Sequence, residues 1–275
     1  MIHPTRSKLS GVDFAHESRA LGRAKTARLL VPNGPPPDGG WPTYYLLHSY
    51  GGNRYSWLLN GGDTGLFDGE IAALFVFPES GRRWFINDIS GRRYADYFVA
   101  DLLPAVEAQF PCRRSREARS VGGFSMGGAA AVYLALIRPD LIGTAFSYGG
   151  AFYASDRVGD PYADFRQTNC MMPTEADHNR VWGPPGSPVR QEYDPDRILA
   201  QAAGRPQQPS ITIEVGRHDY PRVLAQNRRM HRALTSVGIA HSYAEREGDH
   251  SWLSAVASAS RVWGPDRADG SSLSL

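Results

Sequence analysis

Short, nearly continuous apolar runs alternate with longer helix-like segments along most of this chain. The runs at residues 27–31, 43–48, 71–77, 118–124, 143–148, 210–215 and 241–245 read as strands, several of them buried on both faces. Helix-like segments follow at residues 94–110, 126–137, 222–237 and 252–262. This alternation predicts an α/β fold with a mostly parallel central sheet flanked by helices. Pro104 falls inside the first helix-like segment, where its missing N–H and its ring predict a kink or a break.

Two stretches interrupt the pattern. Residues 32–41, Pro-Asn-Gly-Pro-Pro-Pro-Asp-Gly-Gly-Trp, cannot hold regular structure and read as a surface connection. Residues 152–193 form a long insertion between two strands, with Cys170, Met171, Met172, Trp182 and a Gly/Pro cluster. Irregular segments of that length usually serve as lids or binding loops, and a lid is the expectation over a packed surface excursion. The expected organisation is a single domain over residues 1–264 and a frayed tail at 265–275.

Composition sets the outer bounds. A chain of 275 residues with 41% hydrophobic content buries a sizeable core. The net charge is +2, and the arginine pairs at 82–83, 92–93, 113–114 and 228–229 are short and scattered. No nucleic-acid partner is expected from that balance. Cys112 and Cys170 form no metal or redox motif and read as unpaired, buried thiols. The opening Met1-Ile2-His3-Pro4-Thr5-Arg6 lacks a following apolar segment, and no run reaches membrane-spanning length. A soluble, cytoplasmic protein is therefore expected, with no membrane partner.

The chemistry starts at Gly122-Gly123-Phe124-Ser125-Met126-Gly127-Gly128, between an apolar run and the helix-like segment at 126–137. Gly123-x-Ser125-x-Gly127 reads as the nucleophile elbow of an α/β-hydrolase fold, a sharp turn that lifts a serine hydroxyl clear of the sheet. Such a hydroxyl needs a base, and His250 in Gly248-Asp249-His250-Ser251-Trp252 directly follows the last strand. The base needs a carboxylate to orient it, and Asp219 lies in the loop after the strand at 210–215. All three then sit at the carboxyl ends of strands, where open α/β sheets bind ligands. Glu247 is a weaker alternative acid, while Glu214 and Asp249 are poorly placed. His218 and His48 are alternative bases, with His48 better suited to anchoring its loop. The oxyanion hole should combine the N–H of Met126 with that of Tyr50, in the loop His48-Ser49-Tyr50-Gly51-Gly52. Each such donor contributes about 2.7–4 kcal/mol in the transition state. No residue spacing suggests a metal site, and no phosphate-binding loop is present.

These motifs give the chain a family likeness. It resembles the esterase family of tributyrin esterases, S-formylglutathione hydrolases, feruloyl esterase modules and bacterial mycolyltransferases, from about Ser18 to Trp252. The specific marks are Ser125-Met126-Gly127-Gly128 and the closing Gly248-x-His250-x-Trp252. Leu46-Leu47-His48 with Gly51-Gly52 and Trp57, residues 94–110 with Leu103-Pro104, and Gly216 with Asp219 add to them. The resemblance implies a triad of Ser125, Asp219 and His250, an oxyanion hole of the Met126 and Tyr50 amides, and acyl-enzyme chemistry without a cofactor. One departure stands out: the family usually has Gly where this chain has Ser49.

Trp57, Trp84, Tyr94, Trp182 and His218 are the candidate substrate-facing groups, with the insertion as lid. The expected function is a serine carboxylesterase acting on a small soluble ester or thioester. An acyltransferase would use the same triad with an alcohol or amine acceptor, and a non-catalytic binding protein would have no need of the full set. The aromatic content also allows a homo-oligomer interface.

Overall fold

A computed structural model describes residues 8–61, 65–167 and 170–264; the tail expected at 265–275 lies outside them. Eight strands form one sheet: β1 (Leu9–Ser18), β2 (Arg23–Pro32), β3 (Thr43–Leu47), β4 (Leu74–Phe77), β5 (Arg119–Phe124), β6 (Thr144–Tyr148), β7 (Ser210–Gly216) and β8 (His241–Arg246). Their order across the sheet is β1-β2-β4-β3-β5-β6-β7-β8. The pairs β1/β2 and β2/β4 are antiparallel, and every other neighbouring pair is parallel.

The central strands β3 to β6 are buried along nearly their whole length because helices cover both faces. In β3, Tyr45 and Leu47 face one core and Tyr44 and Leu46 the other. The first core packs against α2 (Tyr94–Asp96), α3 (Leu103–Gln109), α4 (Met126–Ile137), α7 (Pro195–Ala202) and α8 (Pro221–Ser236); the second packs against α1 (Ser56–Gly61) and α9 (Trp252–Trp263). The register pairs Leu47 with Gly123, Phe124 with Tyr148, Tyr148 with Glu214 and Gly216 with Arg246. Their carboxyl ends therefore finish along one edge, and the loops that leave it converge.

Three expectations about secondary structure need correction. β1 was not anticipated: it is the outer strand of an antiparallel hairpin, so most of its positions stay at least partly exposed and no apolar run marks it. The helix expected over 94–110 is three pieces, with a π-helical stretch at Tyr97–Leu102 ahead of Pro104 in the first turn of α3. Proline offers no N–H to the preceding turn, and the wider winding absorbs that loss. The insertion is not irregular, for it carries α5 (Glu175–Trp182) and α6 (Pro188–Glu192). α5 starts on a capping box in which Thr174 Oγ1 accepts from Asp177 N at 3.0 Å.

Arg190 organises that insertion. Buried on α6, it donates to the carbonyls of Gly183 (2.9 Å), Ser155 (3.0 Å) and Arg157 (2.5 Å) and to Asn179 Oδ1 (2.7 Å). The insertion docks on residues 84–87 through Trp182, edge-on to Trp84 at 5.3 Å, and through the Tyr193 hydroxyl, which accepts from Asn87 N at 3.0 Å. Cys112 is buried as expected, whereas Cys170 is exposed; both are free thiols. Among the described residues no helix is long and apolar enough to cross a membrane.

Candidate active site

β5 passes into α4 through Ser125, whose backbone holds φ 57° and ψ −116°. Positive φ is strained for a residue with a Cβ and persists only where the surroundings enforce it. Here the Ser125 N–H donates to the Tyr148 carbonyl (2.9 Å), and the Ser125 carbonyl accepts from Ala129 (3.0 Å) and Ala151 (3.1 Å). Both flanking glycines are sterically required. A Cβ on Gly123 would fall 2.3 Å from the Gly127 carbonyl carbon, and one on Gly127 would fall 2.4 Å from the Leu47 carbonyl oxygen. The end of β3 therefore lies directly against the first turn of α4.

His250 leaves β8 on a loop that is pinned at both ends. The Tyr148 hydroxyl donates to the Asp249 carbonyl at 2.9 Å, and Ser251 caps α9 by accepting from Ser254 N at 3.3 Å. Its imidazole is held between Phe124 (ring centroids 4.8 Å apart) and Tyr220 (5.1 Å). Trp252 stands edge-on to Phe124 at 5.0 Å, and Trp57 edge-on to Trp252 at 5.2 Å. Asp219 lies in the turn after β7, where its N–H donates to the Gly216 carbonyl at 3.2 Å. Its carboxylate is buried and lies 2.8 Å (Oδ1) and 3.0 Å (Oδ2) from His250 Nδ1. His250 Nε2 is 2.9 Å from Ser125 Oγ. An Nδ1–H donated to Asp219 leaves the Nε2 lone pair aimed at the serine hydroxyl. The structure thus brings together Ser125, His250 and Asp219, which lie far apart in the chain.

Met126 is the first residue of α4, so its N–H belongs to a helix N-terminus, where partial positive charge collects. The loop carrying Tyr50 is anchored by His48. Its Nε2 accepts from Ser80 N at 3.0 Å and its Nδ1 donates to the Ser49 carbonyl at 2.7 Å. Burial pushes the His48 pKa down to about 4, so a neutral imidazole does the anchoring. Gly51 N donates to the Gly81 carbonyl at 3.0 Å, and Arg82 of that neighbouring loop also reaches Met171 Sδ of the insertion at 3.9 Å.

The proposed substrate-facing groups are dispersed. Trp57 lies in the core, donating Nε1–H to the Leu47 carbonyl at 3.0 Å, and it supports His250 from two rings away. Trp182 is fully buried and stacks on His178 at 5.6 Å, and Tyr94 is buried against Tyr97 with its hydroxyl accepting from Arg23. These three rings are core, because the edge-on packing that stabilises aromatic pairs here removes them from water. Trp84 lines a small cavity beside Ala151. His218 is exposed and pairs with Glu247 at 2.7 Å, which takes that carboxylate away from His250. Glu214 is occupied by Ser258 (2.6 Å), Arg261 (3.0 Å) and Arg246 (3.1 Å). Tyr220, next to Asp219, was missed; the available signal was an aromatic within two residues of each member of the trio, Phe124, Tyr220 and Trp252. Among the described residues, no cluster of three or more His, Cys, Asp or Glu side chains could hold a metal ion.

The family described as "Putative esterase" matches residues 18–257. An acetyl esterase of Caldicellulosiruptor saccharolyticus is 28% identical over 215 residues, covering 76% of this chain and 77% of that protein. An endo-1,4-beta-xylanase/feruloyl esterase of Xylanibacter ruminicola is 25% identical over 161 residues, which is 53% of this chain and 22% of that protein. Among solved structures, a fluorophosphonate-binding serine hydrolase of Staphylococcus aureus is 19% identical with a TM-score of 0.77, covering 94% of this chain and 99% of that one. An S-formylglutathione hydrolase of Staphylococcus aureus is 18% identical with a TM-score of 0.73, covering 90% and 96%. With the sheet order above, these likenesses show the α/β-hydrolase fold.

Proposed function

The chain belongs to the putative esterase family, its match running over residues 18–257, and on that premise we propose that it is a serine carboxylesterase cleaving a small, soluble carboxylic ester or thioester through an acyl-enzyme. The observation that carries this reading is the hydrogen-bonded chain from Ser125 Oγ to His250 Nε2 (2.9 Å) and from His250 Nδ1 to Asp219 Oδ2 (3.0 Å).

Ser125 Oγ attacks the carbonyl carbon while its proton passes to His250 Nε2. Asp219 stabilises the imidazolium that forms, and its buried position keeps water from competing for Nδ1. The tetrahedral oxyanion is received by the N–H groups of Met126 and Tyr50. Collapse expels the alcohol or thiol, which leaves with the proton from Nε2. Water then attacks the acyl-enzyme with His250 again as base, and the carboxylic acid departs as Ser125 recovers its proton. The strained turn at Ser125 holds Oγ in its attacking position before substrate arrives, so little of the barrier is spent on orientation.

The test uses a series of p-nitrophenyl esters from acetyl to long-chain, together with S-formylglutathione and a feruloyl ester. The enzyme should hydrolyse at least one of them, and a fluorophosphonate should label it once, at Ser125. Ser125→Ala should lose about 10⁴-fold or more in kcat. Full activity in Ser125→Ala would remove the reading altogether.

A further inference from the structure

Beside the nucleophile the insertion closes a cavity lined by Trp84, Ala151, Arg157, Tyr162, Arg222 and Gln226 among others. It measures ≈ 210 Å³ out to open solvent, and its narrow part has room for about one water. Its wall reaches the elbow through Ala151, whose N–H donates to the Ser125 backbone carbonyl at 3.1 Å. Arg222, on the cavity wall, stands three residues beyond Asp219 in the first turn of α8.

Charge and hydrogen bonding are both unbalanced here. Arg157 is 3% exposed. Its Nη2 donates to Asp160 Oδ1 (3.3 Å) and to the Pro173 carbonyl (3.0 Å), whereas its Nε and Nη1 have no partner among the described residues. Trp84 Nε1, on a residue that also lines the cavity, likewise lacks an acceptor among the described residues. A buried guanidinium with unmet donors is a costly arrangement that a bound acceptor relieves. The neighbouring carboxylates are already shared. Asp160 also binds Arg166 through both oxygens, and Asp156 serves Arg222 (3.1 Å) and Arg229 (2.9 Å) together. Arg190, close by, spends its donors on neutral oxygens. The excess positive charge registers on His178, whose pKa falls to about 3, through burial first and then through Arg157 and Arg190. That histidine is neutral and does not itself contribute charge. Among the described non-glycine residues, positive φ occurs at Ser125, at the cavity-lining Trp84, and at Phe85 and Tyr153, which adjoin the cavity-lining Trp84 and Ala154 in the chain. Strain concentrated in this way accompanies a surface shaped for a ligand.

We propose that this cavity is a subsite for a carboxylate carried by the substrate, with Arg157 and Arg222 as its cations, so that the enzyme prefers esters bearing a carboxylate a few bonds from the scissile carbonyl. The proposal rests on the esterase reading above. A carboxylate brings both the negative charge and the acceptors that the site lacks. One of its oxygens fits where a single water fits, at the narrow part.

The experiment measures binding to Ser125→Ala protein by calorimetry with two esters of equal length. Monomethyl succinate carries the carboxylate, and methyl 4-oxopentanoate carries a methyl ketone in its place. The anionic ester should bind at least ten-fold more tightly, and Arg222→Met should reduce that preference to two-fold or less. Arg222 is partly exposed, so its loss threatens folding less than that of Arg157; Arg222→Lys should retain part of the preference. Equal binding of the two esters, absence of binding by both, or a preference indifferent to Arg222→Met would overturn the subsite. Turnover by the unmodified enzyme is read separately and should favour the anionic ester ten-fold or more in kcat/KM. Tight, Arg222-dependent binding without hydrolysis of either ester, and without fluorophosphonate labelling of Ser125, would sink the esterase reading while the subsite stood.

Discussion

At the elbow, backbone groups do the holding. The N–H and carbonyl of Ser125 bond to Tyr148, Ala129 and Ala151, and neither Gly123 nor Gly127 has room for a Cβ. Across the nucleophile, the insertion is held by side chains instead: Arg190 gathers three carbonyls and an amide oxygen, and Arg157 stands half-satisfied beside it. A backbone-held turn is set by shape and changes little with the identity of neighbouring side chains. A region held by guanidiniums is set by charge, and a few substitutions alter what it accepts. On the two readings proposed above, chemistry common to many esters belongs to the first region, and choice among esters to the second.

The largest effect should come from breaking the elbow's electrostatic support. Asp219→Asn keeps the size of the side chain but offers Nδ1 a donor where it needs an acceptor, which favours the wrong imidazole tautomer. kcat should fall by about 10⁴-fold with the circular dichroism spectrum unchanged. A loss of ten-fold or less would mean that Asp219 does not orient His250.

Acid compares the two regions through one kind of group. His48 behind the oxyanion loop and His178 in the insertion are both held neutral by burial, with pKa values pushed down to about 4 and about 3. In the unfolded chain each takes up a proton near pH 6.5, so stability is full above that pH and is lost as pH falls toward the folded values. For His48 the loss by pH 4 is on the order of 3 kcal/mol. Urea midpoints measured from pH 7 to pH 4 should show this slope, and His48→Gln and His178→Phe should each flatten part of it. If only one substitution does so, the two regions do not unfold together.

Shape gives the smallest of these effects. Gly127→Ala places a methyl 2.4 Å from the Leu47 carbonyl oxygen, and the end of β3 must move away from α4. A loss of about 1–3 kcal/mol is expected from such overpacking, visible as a lower denaturation midpoint. Activity should fall further than stability alone explains, since the loop bearing Tyr50 moves with β3. An unchanged midpoint would show that the contact relaxes without cost.

Legibility in the sequence followed the range of the interactions. α4 runs over Met126–Ile137, as the sequence pattern predicts, because an elbow motif and an apolar helix face are local signals. Ser125, His250 and Asp219 could be picked out because each follows a strand-like run in the chain order this fold requires. β1 escaped notice because a solvent-facing outer strand has no apolar run. Trp57 and Trp182 illustrate a different limit: an aromatic residue near the right motif can face substrate or core, and both rings pack inward.

The amino-acid sequence by itself determined the alternating fold, the elbow motif and the chain order of Ser125, Asp219 and His250, since each is marked by its neighbours in the chain. Only the tertiary structure decided which aromatic rings hold His250, which carboxylates are already taken, and which donors of Arg157 are left unmet. Those outcomes depend on how residues far apart in sequence share a few buried oxygens. That allocation is a property of packing and does not appear in any one segment.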